Sequence, residues 1–411
     1  MKLFKSSVLT LALAATSTWA NAQSLAITNA TVHTAGEQGV LQNATVIVED
    51  GKITAINPES VSADTVIDAE GKNLTPGIIN AMNNLGLVEV GAVSRSRDAG
   101  AKSADITFDP SLAFNPKSTV IAYTRKGGIT SSIVSPRGGD NMFKGQMFHA
   151  DLSGDFDSVR VANNAVYLEL GAESKGSRAT NLQKLINKLS DFQDKMAKAK
   201  KDDKKESDLK RDEKVLQALL SGEKLMVVYA DRASELLNII KLKEQFGLNI
   251  AISSAADAVV VAEQLAKAEV PVIINALDNL PSSFDALNTS LDNAAKLAEA
   301  GVKVVMTSGG DTHNMYQLRF NAGNAIANGL SREQALEAIT SNVAEVFGLN
   351  TGEIAVGKTA DLVLWSADPF ELSTKVDKIW IEGKEVSTQS RSDKLRDRYM
   401  ATSDMPRAYT K

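Results

Sequence analysis

Short apolar runs alternate with amphipathic helices over residues 76–349, and this repeat restricts the possible folds more than any other feature of the chain. The runs are GITSSIVSP, AVYLEL, KLMVVYA, LNIAISS, VPVIINAL and VKVVMTSG. Most are apolar on both faces, which is typical of parallel strands covered by helices. Between them lie helices such as RASELLNIIKLKEQFG, where Leu236 and Ile240 share a stripe and Gly247 ends the helix. The repeat predicts an α/β fold, a (β/α)8 TIM barrel.

Strands of a different kind lie on both sides of the barrel range. Residues 25–75 contain β-branched runs that are broken by the glycine turns EDGK and AEGK, a pattern typical of hairpins. The same hairpin pattern occurs again in residues 350–388, in GEIAVGKTADLVLW and VDKIWIEGKEV. We therefore expect a small β-sandwich built from both chain ends.

Residues 182–220 predict a charged helical insertion on the rim of the barrel. Leu185, Leu189 and Phe192 form an apolar stripe, but AKAKKDDKKESD then follows with mixed charge and nothing to bury. Such a pattern is typical of a solvated helix or helix-turn-helix rather than a binding surface. Residues 389–411 predict a terminal helix followed by a tail.

The pattern of residues 1–22 is that of a signal peptide. Lys2 and Lys5 give a positive start, the run SVLTLALAATSTWA is too short to cross a bilayer, and ANA at its end suits signal peptidase. We expect cleavage after Ala22 and a soluble periplasmic protein. The chain has no Cys, so neither a lipid anchor on an N-terminal Cys nor a disulfide is expected.

The charge balance argues against a nucleic-acid partner. The formal net charge is −5, and removal of Lys2 and Lys5 with the signal peptide makes it −7. A basic footprint is absent from the sequence, and no second apolar run approaches the ~20 residues of a membrane helix. The partner that we expect is a small-molecule ligand.

The segments TPGIINA, YADRASELL and GEIAVGKTADLVLW, in this order along the chain, resemble segments of the amidohydrolase superfamily, in particular of its imidazolonepropionase-like periplasmic members. TPGIINA resembles the signature of barrel strand one, in which PGxID precedes an HxH pair, and YADRASELL resembles the strand-five segment. Three later segments also resemble the family: VPVIINALDNLPSSFDAL, AGNAIANGLSREQALEAITSNVAEVFGL and GEIAVGKTADLVLW. The resemblance implies hydrolysis of carbon–nitrogen bonds in cyclic amides, ureas or dipeptides, with zinc or another divalent metal as cofactor.

The metal ligands that the resemblance implies are largely missing. The family holds its metal with the HxH pair, one His each from strands five and six, and an Asp after strand eight. The corresponding positions here are Met82 and Asn84, then Tyr229, a position near Ser254, and Asp311. Only the last of these matches, and the Asp that precedes HxH is Asn80. A carboxylate buried there without a metal would be an unpaired charge, which the amide avoids.

A count of histidines supports the same interpretation. The chain has three, at positions 33, 149 and 313, so a four-His site cannot form in any alignment. Zinc prefers imidazole, thiolate or carboxylate, and neither a thioether nor an amide replaces these. We therefore expect no bound cofactor.

The pocket itself is expected to remain at the C-terminal ends of the strands. Its candidate residues are Asp311 and His313 for catalysis and Arg232, Asp278, Asn279, Gly138 and Gly139 for substrate binding. The two glycines permit close approach of a ligand, although an ordinary glycine-rich turn explains them equally well. Asp311 and His313 form either a pair that stabilises a loop or a dyad that activates water.

Three functions stay open at this stage. The favoured one is a hydrolase fold without its metal, a pseudoenzyme that acts as a binding protein, as a homo-oligomer or as the partner of an intact homologous amidohydrolase. The second is an active hydrolase with a reduced site around Asp311 and His313, helped by Glu89, Glu169 or Asp140. The third is a periplasmic solute binder unrelated to hydrolysis.

Overall fold

The computed structural model describes residues 24–171, 175–201, 209–309 and 311–400. The expected signal peptide, with its cleavage site after Ala22, and the tail after Met400 lie outside these residues. None of the helices in the described ranges is both long and apolar enough to cross a membrane.

Eight strands from the two chain ends form one sheet. The strands are β1 (Leu25–His33), β2 (Val40–Glu49), β3 (Lys52–Ile56), β4 (Thr65–Asp68) and β5 (Asn73–Pro76), and after the barrel β14 (Leu362–Trp365), β15 (Val376–Ile381) and β16 (Lys384–Glu385). Their order is β16-β15-β14-β5-β1-β2-β3, with β4 paired to β1. The two ends meet where β5 and β14 pair antiparallel, with Leu74 opposite Leu364. Hydrogen bonds thus join the strands expected for the sandwich into one continuous sheet.

The next eight strands form the barrel, which confirms the predicted fold. They are β6 (Ile78–Asn83), β7 (Ile129–Val134), β8 (Phe143–Asp151), β9 (Val159–Glu169), β10 (Leu225–Ala230), β11 (Ile250–Ser254), β12 (Val272–Ile274) and β13 (Val304–Met306). They pair in chain order. Inward-facing side chains such as Ile79, Ile133, Val227 and Val305 fill the interior. The structure is therefore a packed barrel joined to a sheet that is built from both chain ends.

One strand departs from the regular barrel pattern. β8 runs antiparallel to both β7 and β9, whereas the other neighbouring pairs are parallel. Only eight residues join β7 to β8, and seven join β8 to β9. A parallel crossover needs a dozen or more residues, so these short connections allow only hairpins.

Ten α-helices surround these sheets in the described ranges. They are α1 (Thr119–Arg125), α2 (Arg178–Lys201), α3 (Arg211–Leu220), α4 (Ala233–Phe246), α5 (Ala262–Lys267), α6 (Asn293–Glu299), α7 (Leu318–Ala327), α8 (Arg332–Glu337), α9 (Ser341–Phe347) and α10 (Arg391–Met400). In α4, Leu236 and Ile240 are buried, and Gly247 caps the helix with a φ of 68°. In α2, Leu185 and Leu189 pack into the main core, so this helix rests on the barrel.

Candidate ligand-binding cavity

A cavity of about 1120 Å³ opens where the barrel strands end. Its walls come from the ends of β6, β10, β11, β12 and β13 and from the loops that follow them. Of the residues singled out from the sequence, Met82, Asn84, Tyr229, Ser254, Gly138, Asp278, Asp311 and His313 line it. The structure therefore brings the four altered ligand positions and Asp311 together around one space.

The end of β6 is distorted at the first of these positions. Met82 has a φ of +58°, and the pairing of β6 with β7 shifts register between Ala81 and Asn83. Positive φ is uncommon outside glycine, and a local break in register is the mark of a β-bulge. The half-buried Met82 side chain packs against the interior of the barrel beside Tyr229. It therefore fills space at the cavity floor.

The asparagines on and after β6 are engaged in hydrogen bonds. Asn84 Nδ2 donates to the carbonyl oxygen of Ser135 at 2.7 Å, and Asn80 Nδ2 donates to Ser308 Oγ at 2.8 Å. Asn83 Nδ2 donates to Ser132 Oγ at 2.8 Å. Neutral amides thus hold the floor in place, and an amide can offer a metal only its carbonyl oxygen, which is a weak ligand.

Hydroxyl groups occupy the ends of β10 and β11. Burial raises the pKa of Asp231, while hydrogen bonds from Ser254, from the Ala256 N–H and from Tyr229 act in the opposite direction. The side chains of Tyr229 and Ser254 therefore form hydrogen bonds with the carboxylate of Asp231. Burial also raises the pKa of Tyr167, which stays a neutral phenol on the cavity wall.

Asp311 and His313 lie together on the opposite wall. Asp311 is the N-cap of a 3-10 helix that spans Thr312–Gln317 and includes His313, and both side chains are exposed to the cavity. Thr312 Oγ1 donates to the Val88 carbonyl oxygen at 3.3 Å, which joins this segment to the hairpin after β6. The described contacts include no hydrogen bond between Asp311 and His313.

Asp278 reaches the cavity from the loop after β12. It accepts a 2.7 Å hydrogen bond from Asn275 Nδ2, and desolvation raises its pKa despite this bond. Glu89 also lines the cavity, but its two oxygens already accept from Asn115 and Ser118 at 3.0 and 2.8 Å.

Three of the predicted substrate-binding residues lie elsewhere. Arg232 lines a separate groove of about 590 Å³ and forms an ion pair with Asp285, because the chain turns outward to begin α4 immediately after it. Asn279 is exposed outside the cavity wall, next to Asp278. The Gly139 carbonyl accepts from Lys144 at 3.3 Å. Gly138 and Gly139 have φ values of 76° and 87°, so both are required by the turn itself.

The other two histidines lie away from the cavity. His33 Nε2 contacts Asn73 Oδ1 at 2.9 Å in the end sheet. His149 is buried in β8, and burial lowers its pKa to about 4, so its ring is neutral at neutral pH. The two other carboxylates considered for a reduced site are also engaged, since Glu169 pairs with Lys144 at 2.9 Å and Asp140 pairs with Lys175.

This donor set does not fit the divalent metal that the resemblance implies. In the described parts of the chain, no three His, Cys, Asp or Glu side chains lie close enough together to hold a metal ion. Asp311 and His313 are two groups on one wall that zinc would accept, but catalytic zinc sites usually have three protein ligands, and no third such group lies close enough in the described ranges.

Two charged cavity residues were not singled out from the sequence. Arg97 and Arg137 both line the cavity, one after β6 and the other after β7. A usable signal existed, because residues that follow barrel strands face the site and Arg137 directly precedes Gly138 in a loop already singled out.

Comparisons with known proteins agree with this architecture. The profile of the Amidohydrolase family matches residues 181–386. An imidazolonepropionase from Thermoplasma volcanium is 23% identical over 407 residues, which cover 87% of this chain and 94% of that protein. The amidohydrolase tasK from Hapsidospora irregularis is 25% identical over 388 residues and 82% of this chain, but the chain spans only 39% of its length.

A solved structure shows the same fold. The crystal structure of an amidohydrolase from Thermotoga maritima superimposes with a TM-score of 0.79 at 24% identity, over 89% of this chain and all of that one. A crystal structure of enamidase superimposes with a TM-score of 0.52 at 19% identity, over 90% of this chain and 97% of that one. These likenesses concern the fold.

Proposed function

The chain belongs to the amidohydrolase family, and from this premise we propose that it binds a small molecule in the barrel cavity without hydrolysing it. The proposal makes it a non-catalytic member of a family whose named relatives include an imidazolonepropionase and a 5′-deoxyadenosine deaminase.

One observation carries the proposal. The family resemblance implies five metal-ligand positions, and those that line the cavity here are Met82, Asn84, Tyr229, Ser254 and Asp311. Only the carboxylate is a group that zinc prefers. Without a metal, the site has no means of acidifying a water molecule or polarising a carbonyl as family hydrolysis requires.

The cavity still has the features of a binding site. It is large enough for a small organic ligand, and apolar side chains such as Met82 and Ile273 alternate with amides, hydroxyls and charged groups. Most of the amide and hydroxyl groups on its floor are fixed by hydrogen bonds, so the walls are preorganised.

A second candidate is a hydrolase with a reduced site. It is supported by the shared location of Asp311 and His313 on one wall, where a carboxylate and an imidazole could both reach a bound ligand. In that case Asp311 would act as general base, and His313 would donate a proton to the leaving nitrogen.

A binding and turnover assay separates the two candidates. The protein is incubated with a dihydropyrimidine, an Xaa-Pro dipeptide and 5′-deoxyadenosine, with and without EDTA. Thermal stabilisation by a ligand, unchanged by EDTA and without product, is the expected result. Product formation that Asp311→Ala abolishes, and that Asp98→Ala leaves unchanged, would establish the reduced-site hydrolase instead. Asp98 is an exposed acid outside the cavity lining, which makes it a matched control.

Location and macromolecular partners are part of the same proposal. Export to the periplasm rests on the signal-peptide pattern of residues 1–22, and mass spectrometry of the mature protein from its native envelope tests it. An intact homologue with the HxH pair, or a second copy of this chain, is the partner that we propose. Its co-purification with the tagged protein at endogenous levels would support this role, and a monomer free of other chains would contradict it.

A further inference from the structure

We infer that Arg97 and Arg137 form a carboxylate-binding site on one wall of the cavity, and that the ligand is a small molecule or short peptide ending in a carboxylate. The inference rests on the proposed binding function and adds the chemical class of the ligand.

Backbone hydrogen bonds hold the segments that carry the two arginines next to each other. Arg97 forms a bridge with Val88 in the hairpin that follows β6. Two residues later, the carbonyl oxygen of Ala99 accepts from the Arg137 N–H at 2.9 Å. Both arginines therefore lie on adjacent extended segments, and both line the cavity.

Gly100 shows that these segments are closely packed. A Cβ atom at this position would overlap the carbonyl oxygen of Arg137, so only glycine fits there. This close backbone contact fixes the position from which the Arg137 side chain enters the cavity. Its charge also reaches the phenol of Tyr167, where it opposes the effect of burial on the Tyr167 pKa.

The two guanidinium groups are free to bind a ligand. Both are exposed at the cavity, and the described contacts include no hydrogen bond or ion pair from either side chain. By contrast, Arg319 is engaged by three backbone carbonyls, and Arg160 is engaged by Asp151 and Glu382. Unpaired guanidiniums that share a concave wall are suited to an anion.

The acidic residues in the cavity favour a carboxylate ligand over a phosphate ligand. Among the described residues that line it, the two arginines face Glu89, Asp278 and Asp311, which gives a formal charge of −1 with His313 neutral. A dianion would be repelled by these carboxylates, whereas a monoanion can be held in the planar fork of the guanidinium groups. An ammonium group at the other end of the ligand would be attracted to Asp311 or Asp278.

The test uses ligands that differ only in the carboxylate. The full chain is titrated with an equimolar mixture of dipeptides and with the same mixture after methyl esterification, and saturation-transfer NMR detects the bound components. Calorimetry on the best component is then repeated with Arg97→Gln, Arg137→Gln and the control Arg95→Gln. Arg95 is exposed on the same hairpin but does not line the cavity.

The expected result is binding of free acids and not of esters. Each cavity variant should weaken binding at least about tenfold, which corresponds to about 1.4 kcal/mol, while Arg95→Gln has no effect. Conversion of either arginine to lysine should restore part of the affinity, because the charge remains and the planar fork is lost. All variants should retain the melting temperature of the wild type, since the replaced side chains are exposed.

Three outcomes would overturn the inference, and they are distinguishable from failure of the proposed function. Equal binding of esters and acids would leave a binding cavity without a carboxylate site. Methyl phosphate that binds more tightly than any dipeptide, and is lost in the same variants, would assign the site to phosphate. Absence of binding to either mixture would also reject the inference, whereas hydrolysis of a bound dipeptide would reject only the non-catalytic function.

Discussion

At the scale of single residues, the chemistry of the site follows from a few replacements. Met82 and Asn84 stand where the family resemblance implies imidazoles, and both line the cavity. These two positions could be located from the sequence, because the order of the barrel strands along the chain determines which residues correspond to the family's metal ligands. It could not show that Met82 adopts a positive φ, since the bulge depends on how β6 pairs with β7.

Restoring the two histidines should create a metal site. We expect Met82→His with Asn84→His to raise zinc affinity by at least tenfold, because Asp311 lines the same cavity and would supply a third ligand. Histidine tolerates the positive φ at position 82 better than most residues. Calorimetric titration with zinc measures the gain, which a further Asp311→Asn change should remove. An affinity equal to that of the wild type would show that the positions do not converge.

A buried acid in the end sheet should give the protein a defined pH dependence. Asp361 accepts from Thr351 Oγ1 at 2.7 Å and from the Glu382 N–H at 2.9 Å, yet burial raises its pKa to about 6. The folded state therefore binds this proton more tightly than the unfolded state does, where the pKa is near 3.8. Its contribution to stability is fully present below about pH 4 and is lost as the pH rises through about 6.

Asp361→Asn is the variant that tests this dependence. The free energy of unfolding from denaturant titrations should change less between pH 4 and pH 7 in the variant than in the wild type. The difference is at most about 3 kcal/mol, from a pKa change of about two units. The exposed Asp98→Asn serves as control and should follow the wild type. Parallel pH profiles for wild type and Asp361→Asn would contradict the assignment.

At the scale of elements, the repeat of apolar runs predicts the barrel, but this pattern does not predict strand β8. The sequence of β8, FKGQMFHAD, carries Lys144, His149 and Asp151 among its apolar residues, and all nine positions are buried. Two of its charged groups are tolerated because they are paired, Lys144 with Glu169 and Asp151 with Arg160. Such long-range pairing is invisible to a local pattern, which explains why β8 was not predicted.

The packing of the loops after β6 and β7 should control ligand binding. We expect Gly100→Ala to weaken ligand binding and to lower the melting temperature, because a Cβ there would overlap the Arg137 carbonyl and displace the segment. The loss of stability should be about 1–3 kcal/mol. Gly171→Ala is the control, since its Cβ would lie in ordinary contact at 3.5 Å from Ala230 Cα and this position does not line the cavity. Equal effects of the two changes on affinity would refute this role of Gly100.

At the scale of the whole molecule, the end sheet and the barrel share one core. Val363, Trp365 and Ile379 of the sheet belong to the same buried cluster as Ile78 and Ile129 of the barrel. Trp365 Nε1 donates to Thr75 Oγ1 at 2.9 Å, which links the two chain ends beneath the barrel. The sequence predicts this composite arrangement, because the hairpin pattern of the N-terminal strands occurs again after the last barrel helix. The outward turn of Arg232 depends on tertiary packing and was not predicted.

The metal content of the protein tests the central claim most directly. The chain should be purified without chelators from cells grown in metal-supplemented medium, and transition metals should be measured by plasma mass spectrometry. We predict clearly less than one zinc or other transition-metal ion per chain, because no three His, Cys, Asp or Glu side chains in the described ranges lie close enough together to hold one, and Asp311 is the single good ligand at the five family positions. A stoichiometric metal ion that Asp311→Ala removes would contradict the non-catalytic binding function and favour the reduced-site hydrolase.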